Sequence, residues 1–227
     1  MKKLICLSLV ICLLAGFGVY AMAVDSTDIK GHDPASAPVD DQSVVAAYQI
    51  TKYNDEESEQ FLWNTLSKYS PSDFITAAVL AYFWRESTYK SDATVNWPLQ
   101  KAGFCEEFTA KIDAGLADGS TKEQFIEDVH YKIGGYGLGQ WYAIMYLDAF
   151  YDFAQDWGTS IADADMQCAF TLWSCGFWRE PIWNELLQCK TALQAGRIIG
   201  AGYDGDINSA ELIACKAVEL YDKYADK

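Results

Sequence analysis

Ser70-Pro71-Ser72-Asp73-Phe74-Ile75-Thr76-Ala77-Ala78-Val79-Leu80-Ala81-Tyr82-Phe83-Trp84-Arg85-Glu86-Ser87 is the stretch that decides the fold. Ser70 can cap a helix, Pro71 suits its first turn, and Asp73 can return a bond to the cap. From Ile75 to Trp84 the residues are apolar or small on every face. A helix with no polar face belongs in the middle of a core. The expectation is a mainly α domain around a buried central helix, with Glu86 in its last turn.

Outward from that helix the pattern stays helical. Glu56 to Tyr69 sets Phe61, Leu62 and Leu66 among charges, an amphipathic arrangement. Further helices are expected at 99–116, 122–131, 140–157, 163–175, 182–189, 193–199 and 209–224, punctuated by glycines and Pro181. Thr88, Tyr89, Thr94 and Val95 favour strand, which allows a short hairpin around 87–98.

The beginning of the chain reads differently. Lys2 and Lys3 precede an apolar run from Leu4 to Val19 and a small-residue site at Ala21-Met22-Ala23. The run is shorter than the ~20 residues of a spanning helix. Residues 1–23 are therefore expected to be a secretory signal peptide, giving a secreted protein without stable membrane insertion. Residues 24–50 are rich in Asp, Ser, Pro, Gly and Ala and read as a flexible segment. The folded domain is assigned to 51–227, a length that suits one core.

The net charge is −15, and cleavage of the leader would remove two lysines and no acid. Nucleic acid is excluded as a partner, because binding it needs a basic face. Acidic polymers would be repelled overall, so a neutral substrate or a local basic patch is required. Outside the leader stand Cys105, Cys168, Cys175, Cys189 and Cys215. Export permits disulfides among them, and buried thiols are the alternative. If Cys168 and Cys175 share a straight helix, two turns hold them roughly 10 Å apart, too far to bridge. The two histidines, His32 and His130, exclude a zinc site with several His ligands. No metal or cofactor is expected. A Cys105–His130 nucleophile pair would have nothing to orient it.

Two segments carry chemistry. Glu86 would sit at the negative end of a helix dipole, with Tyr82 and Phe83 one turn back. Dipole and desolvation both favour a protonated carboxyl, the form a general acid needs. Arg85 would oppose this if it turned inward. The bland alternative is a solvated helix-end carboxylate. The second segment is Gly134-Gly135-Tyr136-Gly137-Leu138-Gly139-Gln140-Trp141. Its glycines allow close backbone approach. Gln140 offers an amide that donates and accepts, and Tyr136 and Trp141 offer rings. Taken alone it is a Gly-rich turn before a helix.

Together, Leu62-Trp63-Asn64, the apolar helix ending in Glu86-Ser87, and the Gly134–Trp141 run resemble the phage-tail lysozyme family. That family is related to goose-type lysozymes and soluble lytic transglycosylases. The resemblance covers roughly 56–178. It implies a lysozyme-like fold and cleavage of the MurNAc–GlcNAc bond in the peptidoglycan glycan strand. It also implies Glu86 as acid, with Ser87, Gly137 and Gln140 positioning acid or substrate. Tyr203, in Ala201-Gly202-Tyr203, is a loose counterpart of a third aromatic motif. The chain departs from the pattern in lacking a Pro soon after Ser87 and an Arg after Trp141. Asp92, Glu106, Glu107 and Asp128 are the candidates for a second carboxylate. A hydrolase would place it about 5–9.5 Å from the acid. If none qualifies, the sugar's own 2-acetamido or 6-hydroxyl group would complete the reaction, the latter being the transglycosylase route. The rival readings are a glycan- or protein-binding module that does not cut, and a structural domain whose eight tryptophans fill a core.

Overall fold

Two helices open the described part of the chain, α1 (Asp55–Tyr69) and α2 (Asp73–Ser87). The computed structural model describes residues 55–94, 101–204 and 207–225. The leader at 1–23, the segment at 24–50 and the part of the possible hairpin beyond Thr94 lie outside these residues. The remaining elements are α3 (Phe104–Asp113), α4 (Lys122–Asp128), α5 (Ile144–Trp157), α6 (Ala164–Trp178), α7 (Glu180–Leu186), α8 (Ala192–Ile198) and α9 (Ile207–Tyr224). A π-helical turn, Val129–Ile133, extends α4, and another, Ile199–Asp204, extends α8. No strand occurs among the described residues, only isolated bridges joining Tyr136 to Thr94 and to Trp141. The protein is mainly α.

Helix α2 is the buried centre. Every residue from Ile75 to Phe83 is buried. Around it pack α1, α8, α9 and the second π-helical turn. Its start differs from expectation. Ser72, not Ser70, is the cap: its backbone is extended and its hydroxyl accepts from Ile75 N. Ser70 Oγ instead donates to Ser72 O at 2.8 Å, which places Pro71 before the helix rather than in it.

The close packing of α8 on α9 comes from small residues. A Cβ on Gly196 would lie 2.5 Å from Ala214 Cα, and one on Gly200 2.5 Å from Ala210 Cα. Two glycines four apart therefore meet two alanines four apart, and the backbones touch. Helix α9 also stacks Tyr221 on Phe74 of α2, with ring centroids 5.0 Å apart.

Glu59 of α1 ties three elements together. Its carboxylate accepts from Tyr89 Oη at 2.8 Å, Lys223 Nζ at 2.9 Å and Tyr224 Oη at 2.8 Å. Lys216 Nζ lies 3.6 Å away. Burial pushes the Glu59 carboxyl upward, but these donors outweigh it and hold the group below its ordinary value.

Other boundaries moved for identifiable reasons. The helix expected at 99–116 is Phe104–Asp113, starting after Gly103 at φ +84°. The helix expected from Gln140 begins only at Ile144, because 137–140 form a turn. The expected hairpin does not form within 87–94. Thr88 and Tyr89 are left-handed, at φ 52° and 65°, so the chain doubles back, and Thr94 pairs with Tyr136 instead. Cys105, Cys168, Cys175, Cys189 and Cys215 are all free thiols. Cys168 and Cys175 do share α6, and burial pushes the Cys175 thiol up to about 12, an unreactive state.

Asp163 caps α6, accepting from Met166 N at 2.7 Å. Only 5% exposed, its carboxyl is pushed by burial up to about 6. A raised folded value means the native state holds the proton through a pH range where the unfolded chain releases it. Stability is gained in full below the ordinary Asp value and lost as pH rises through about 6. We expect the protein to be about 1 kcal/mol more stable near pH 5 than near pH 7.5 from this group. Urea midpoints of wild type and Asp163→Asn check it. Asn keeps the cap, so the variant should lose this gain, and identical pH profiles would contradict the assignment.

Candidate active site

Glu86 and the glycine run come together through one hydroxyl. Tyr82 stands four residues before Glu86 and so on the same face of α2. Its Oη donates to Gly139 O at 2.6 Å, which fixes the glycine turn beside the end of the helix. The turn is closed by reciprocal Tyr136–Trp141 backbone bonds, both 3.1 Å. Gly137 takes φ +79° and Gln140 φ 47°. A left-handed glutamine is costly. Here its side chain holds it: Nε2 donates to Gly137 O at 2.7 Å and to Ala93 O at 2.9 Å.

Gln167 of α6 anchors the turn from below. Fully buried, it accepts from Leu138 N at 2.7 Å and donates to Ser91 O and Ile161 O, each at 2.7 Å. A Cβ on Gly137 would lie 2.8 Å from its Oε1, so glycine is required there for space as well as torsion. The signal for Gln167 is a long polar side chain inside the largely apolar stretch Met166–Leu172.

The resulting cavity has a volume of about 190 Å³. Glu86, Gln140, Trp141 and Tyr203 line it together with Tyr82, Tyr142, Tyr146 and Arg179. Trp141 Nε1 donates to Tyr203 Oη at 3.3 Å, and Tyr203 shares a second hydrogen bond with Ser174 at 2.8 Å. Burial pushes the Tyr203 hydroxyl well up, so it serves as a neutral hydrogen-bonding group. Tyr142, 60% exposed, offers a free ring face at the mouth.

Three residues expected at the sugar stand elsewhere. Ser87 is fully buried, and its hydroxyl donates to Phe83 O at 3.0 Å. Tyr136 is fully buried among Phe108, Phe125 and Phe150, and its hydroxyl shares a 2.6 Å hydrogen bond with Thr109. Gly137 shapes the turn without lining the cavity. These three act on the site by holding its wall.

The Glu86 side chain is 19% exposed, with Arg85 Nη1 3.4 Å from its Oε1. Arg85 has thus turned toward the carboxylate. Partial burial and the helix end disfavour the charge, and the guanidinium favours it. Glu86 is the one acid among the described residues lining the cavity. Asp92, Glu106, Glu107 and Asp128 are not in its wall, and Asp128 is occupied by Lys132 at 2.6 Å and Lys111 at 3.8 Å.

Gln140 carries the second notable feature. With both Nε2 hydrogens on carbonyl oxygens, its amide orientation is fixed. Its Oε1 is buried and has no donor among the described residues. An acceptor left this way costs on the order of 1–3 kcal/mol.

A larger hollow, about 290 Å³, lies beside Glu59, Trp84, Lys216 and Lys223. Its charged groups already pair with one another, and Lys216 sits over the Trp84 ring. It is better explained as the flank of a structural ion network. His130 Nδ1 lies 2.7 Å from Tyr142 O, whereas Cys105 lies against Thr94. No hydrogen bond joins these two among the described residues. There too, no group of three or more His, Cys, Asp or Glu residues could hold a metal ion, and no helix is long and apolar enough to cross a membrane.

Compared with family models, curated proteins and solved structures, the chain matches none.

Proposed function

We propose that the protein is a secreted, lysozyme-like enzyme that cleaves the MurNAc–GlcNAc bond of peptidoglycan, with Glu86 as general acid. The observation that carries this reading is the shared cavity. An acid at a helix end lines it with the Gln140 side chain and the rings of Trp141, Tyr142 and Tyr203. Tyr142 would supply a ring face to the sugar.

In the reaction, Glu86 gives its proton to the bridging oxygen as the C1–O bond breaks. Positive charge develops on the muramic ring. With no second acid among the described lining residues, the substrate's own 2-acetamido or 6-hydroxyl group completes the reaction. In the 6-hydroxyl route, that group of the same sugar attacks C1, and its proton passes to the Glu86 carboxylate. Proton balance is restored, no water is consumed, and the muramic end is a 1,6-anhydro ring.

A non-cutting glycan-binding module is the second reading, and the 3.4 Å Arg85 contact favours it, because a guanidinium there stabilises the carboxylate anion. Release of soluble fragments from purified peptidoglycan separates the two. The enzyme reading expects steady release with time. Protein that sediments with the wall and releases nothing would establish the module.

A further inference from the structure

We infer that Arg179 is the specificity residue of this cavity and recognises a carboxylate carried by the bound glycan; the inference rests on the glycan reading above. The chain has three arginines. Arg85 contacts Glu86 at 3.4 Å, and Arg197 makes a forked pair with Glu211 at 2.7 and 3.0 Å. Arg179 lines the cavity and forms no ion pair or side-chain hydrogen bond among the described residues. In a chain with 32 acids against 17 bases, a guanidinium left without an acid is conspicuous.

Its backbone is fixed, while its head has no hydrogen-bond or ion-pair partner among the described residues. Arg179 occupies the joint between α6 and α7. Its N–H donates to Cys175 O at 3.1 Å, and its carbonyl accepts from Trp183 N at 2.9 Å. Next to it, Trp178 packs edge-on against the cavity residue Tyr146, with ring centroids 4.6 Å apart. The backbone of the arginine is therefore placed by two helices, and its exposed side chain is the part left to meet a ligand.

The chemistry of the fork selects the ligand. A guanidinium presents paired N–H donors that match a carboxylate in two parallel bonds, which an ammonium cannot reproduce. The strongly acidic surface would repel an anionic glycan at long range. Arg179 supplies local positive charge where the ligand seats, as the acidic balance of the sequence requires. The ligand that fits the glycan reading and Arg179 together is an N-acetylated amino sugar bearing a carboxylate.

Equilibrium binding tests this on the full chain carrying Glu86→Gln, so that no ligand is consumed. The probes are a neutral N-acetylglucosamine oligosaccharide and one of equal length containing N-acetylmuramic acid with free carboxylates. We expect the acidic probe to bind about 10- to 100-fold more tightly, the range of a charge-assisted pair. Adding Arg179→Gln should bring the ratio near one while leaving the neutral probe's Kd within about twofold, and Arg179→Lys should restore only part of the ratio. Equal binding of both probes, or a preference that survives Arg179→Gln, would overturn the inference. Cleavage by the wild-type chain is scored separately. Charge-selective binding that depends on Arg179 without any cleavage would refute the enzyme reading and support this one.

Discussion

If Glu86 is the proposed general acid, Glu86→Gln is expected to lower the rate of fragment release from peptidoglycan by at least about 10³-fold, within the range for loss of such a group. The amide has the same shape and cannot give up a proton. It sits at a partly exposed helix end, where such a swap shifts stability by about 0.5 kcal/mol or less. Glycan binding persists in the variant, so the loss falls on kcat rather than KM. Thermal melting and binding isotherms on the same preparation check both halves. Wild-type release by Glu86→Gln would remove the residue from the mechanism.

Glu59→Ala has the largest expected effect on stability. The carboxylate side chain is 9% exposed and serves Tyr89, Lys223 and Tyr224 directly, with Lys216 close by. Deleting it takes this acceptor from two hydroxyls and leaves Lys216 with Glu219 and Lys223 with Glu56, each at 3.5 Å. Removing one partner of a buried pair costs about 3–5 kcal/mol. Lys223, 40% exposed, can turn to water, so the lower part of that range is expected. Glu59→Gln should cost less, since the amide still accepts. The pH dependence has the opposite sign to that of Asp163. A depressed folded value means the stabilisation is present above the ordinary Glu value and is lost as pH falls through the folded one. Acid unfolding of wild type should therefore be steeper than that of Glu59→Gln. Tyr89 is left-handed and is held by this same carboxylate, so Glu59→Ala should also loosen the chain after Glu86 and reduce activity at temperatures where the protein remains folded.

Helices were legible where one face, or every face, was continuously apolar. Ile75 to Phe83 could be nothing but a core helix, and α1 and α6 followed from spacing. Caps and turns were less legible, because they depend on which of several neighbouring polar groups wins. Ser72 displaced Ser70 because its backbone is extended and its hydroxyl reaches Ile75 N. Gln140 looked like the first residue of a helix. It is the last of a turn, held left-handed by Ala93 and Gly137 carbonyls that no local pattern could bring there.

The candidate site divides in the same way. Glu86, Gln140 and Trp141 were visible because helix end and glycine run are contiguous motifs. Ser87 and Tyr136 were chosen for what their side chains could offer, and the core took both. Tyr82 was read only as an apolar neighbour, although its hydroxyl is what joins the two motifs. Arg179 and Tyr146 come from other helices and carry no motif. Only packing brings them to the cavity.

Glu86 is the one acid among the described residues lining its cavity, and its proposed role as proton donor leaves a chemical signature. The mass spectrum of the fragments released from purified peptidoglycan tests it most directly. If Glu86 acts with the sugar's 6-hydroxyl, muramic ends are 1,6-anhydro sugars, one water lighter than hydrolysed ends, and are absent with Glu86→Gln. Reducing muramic ends would replace the 6-hydroxyl route by one that consumes water, and release that persists with Glu86→Gln would remove Glu86 from the reaction.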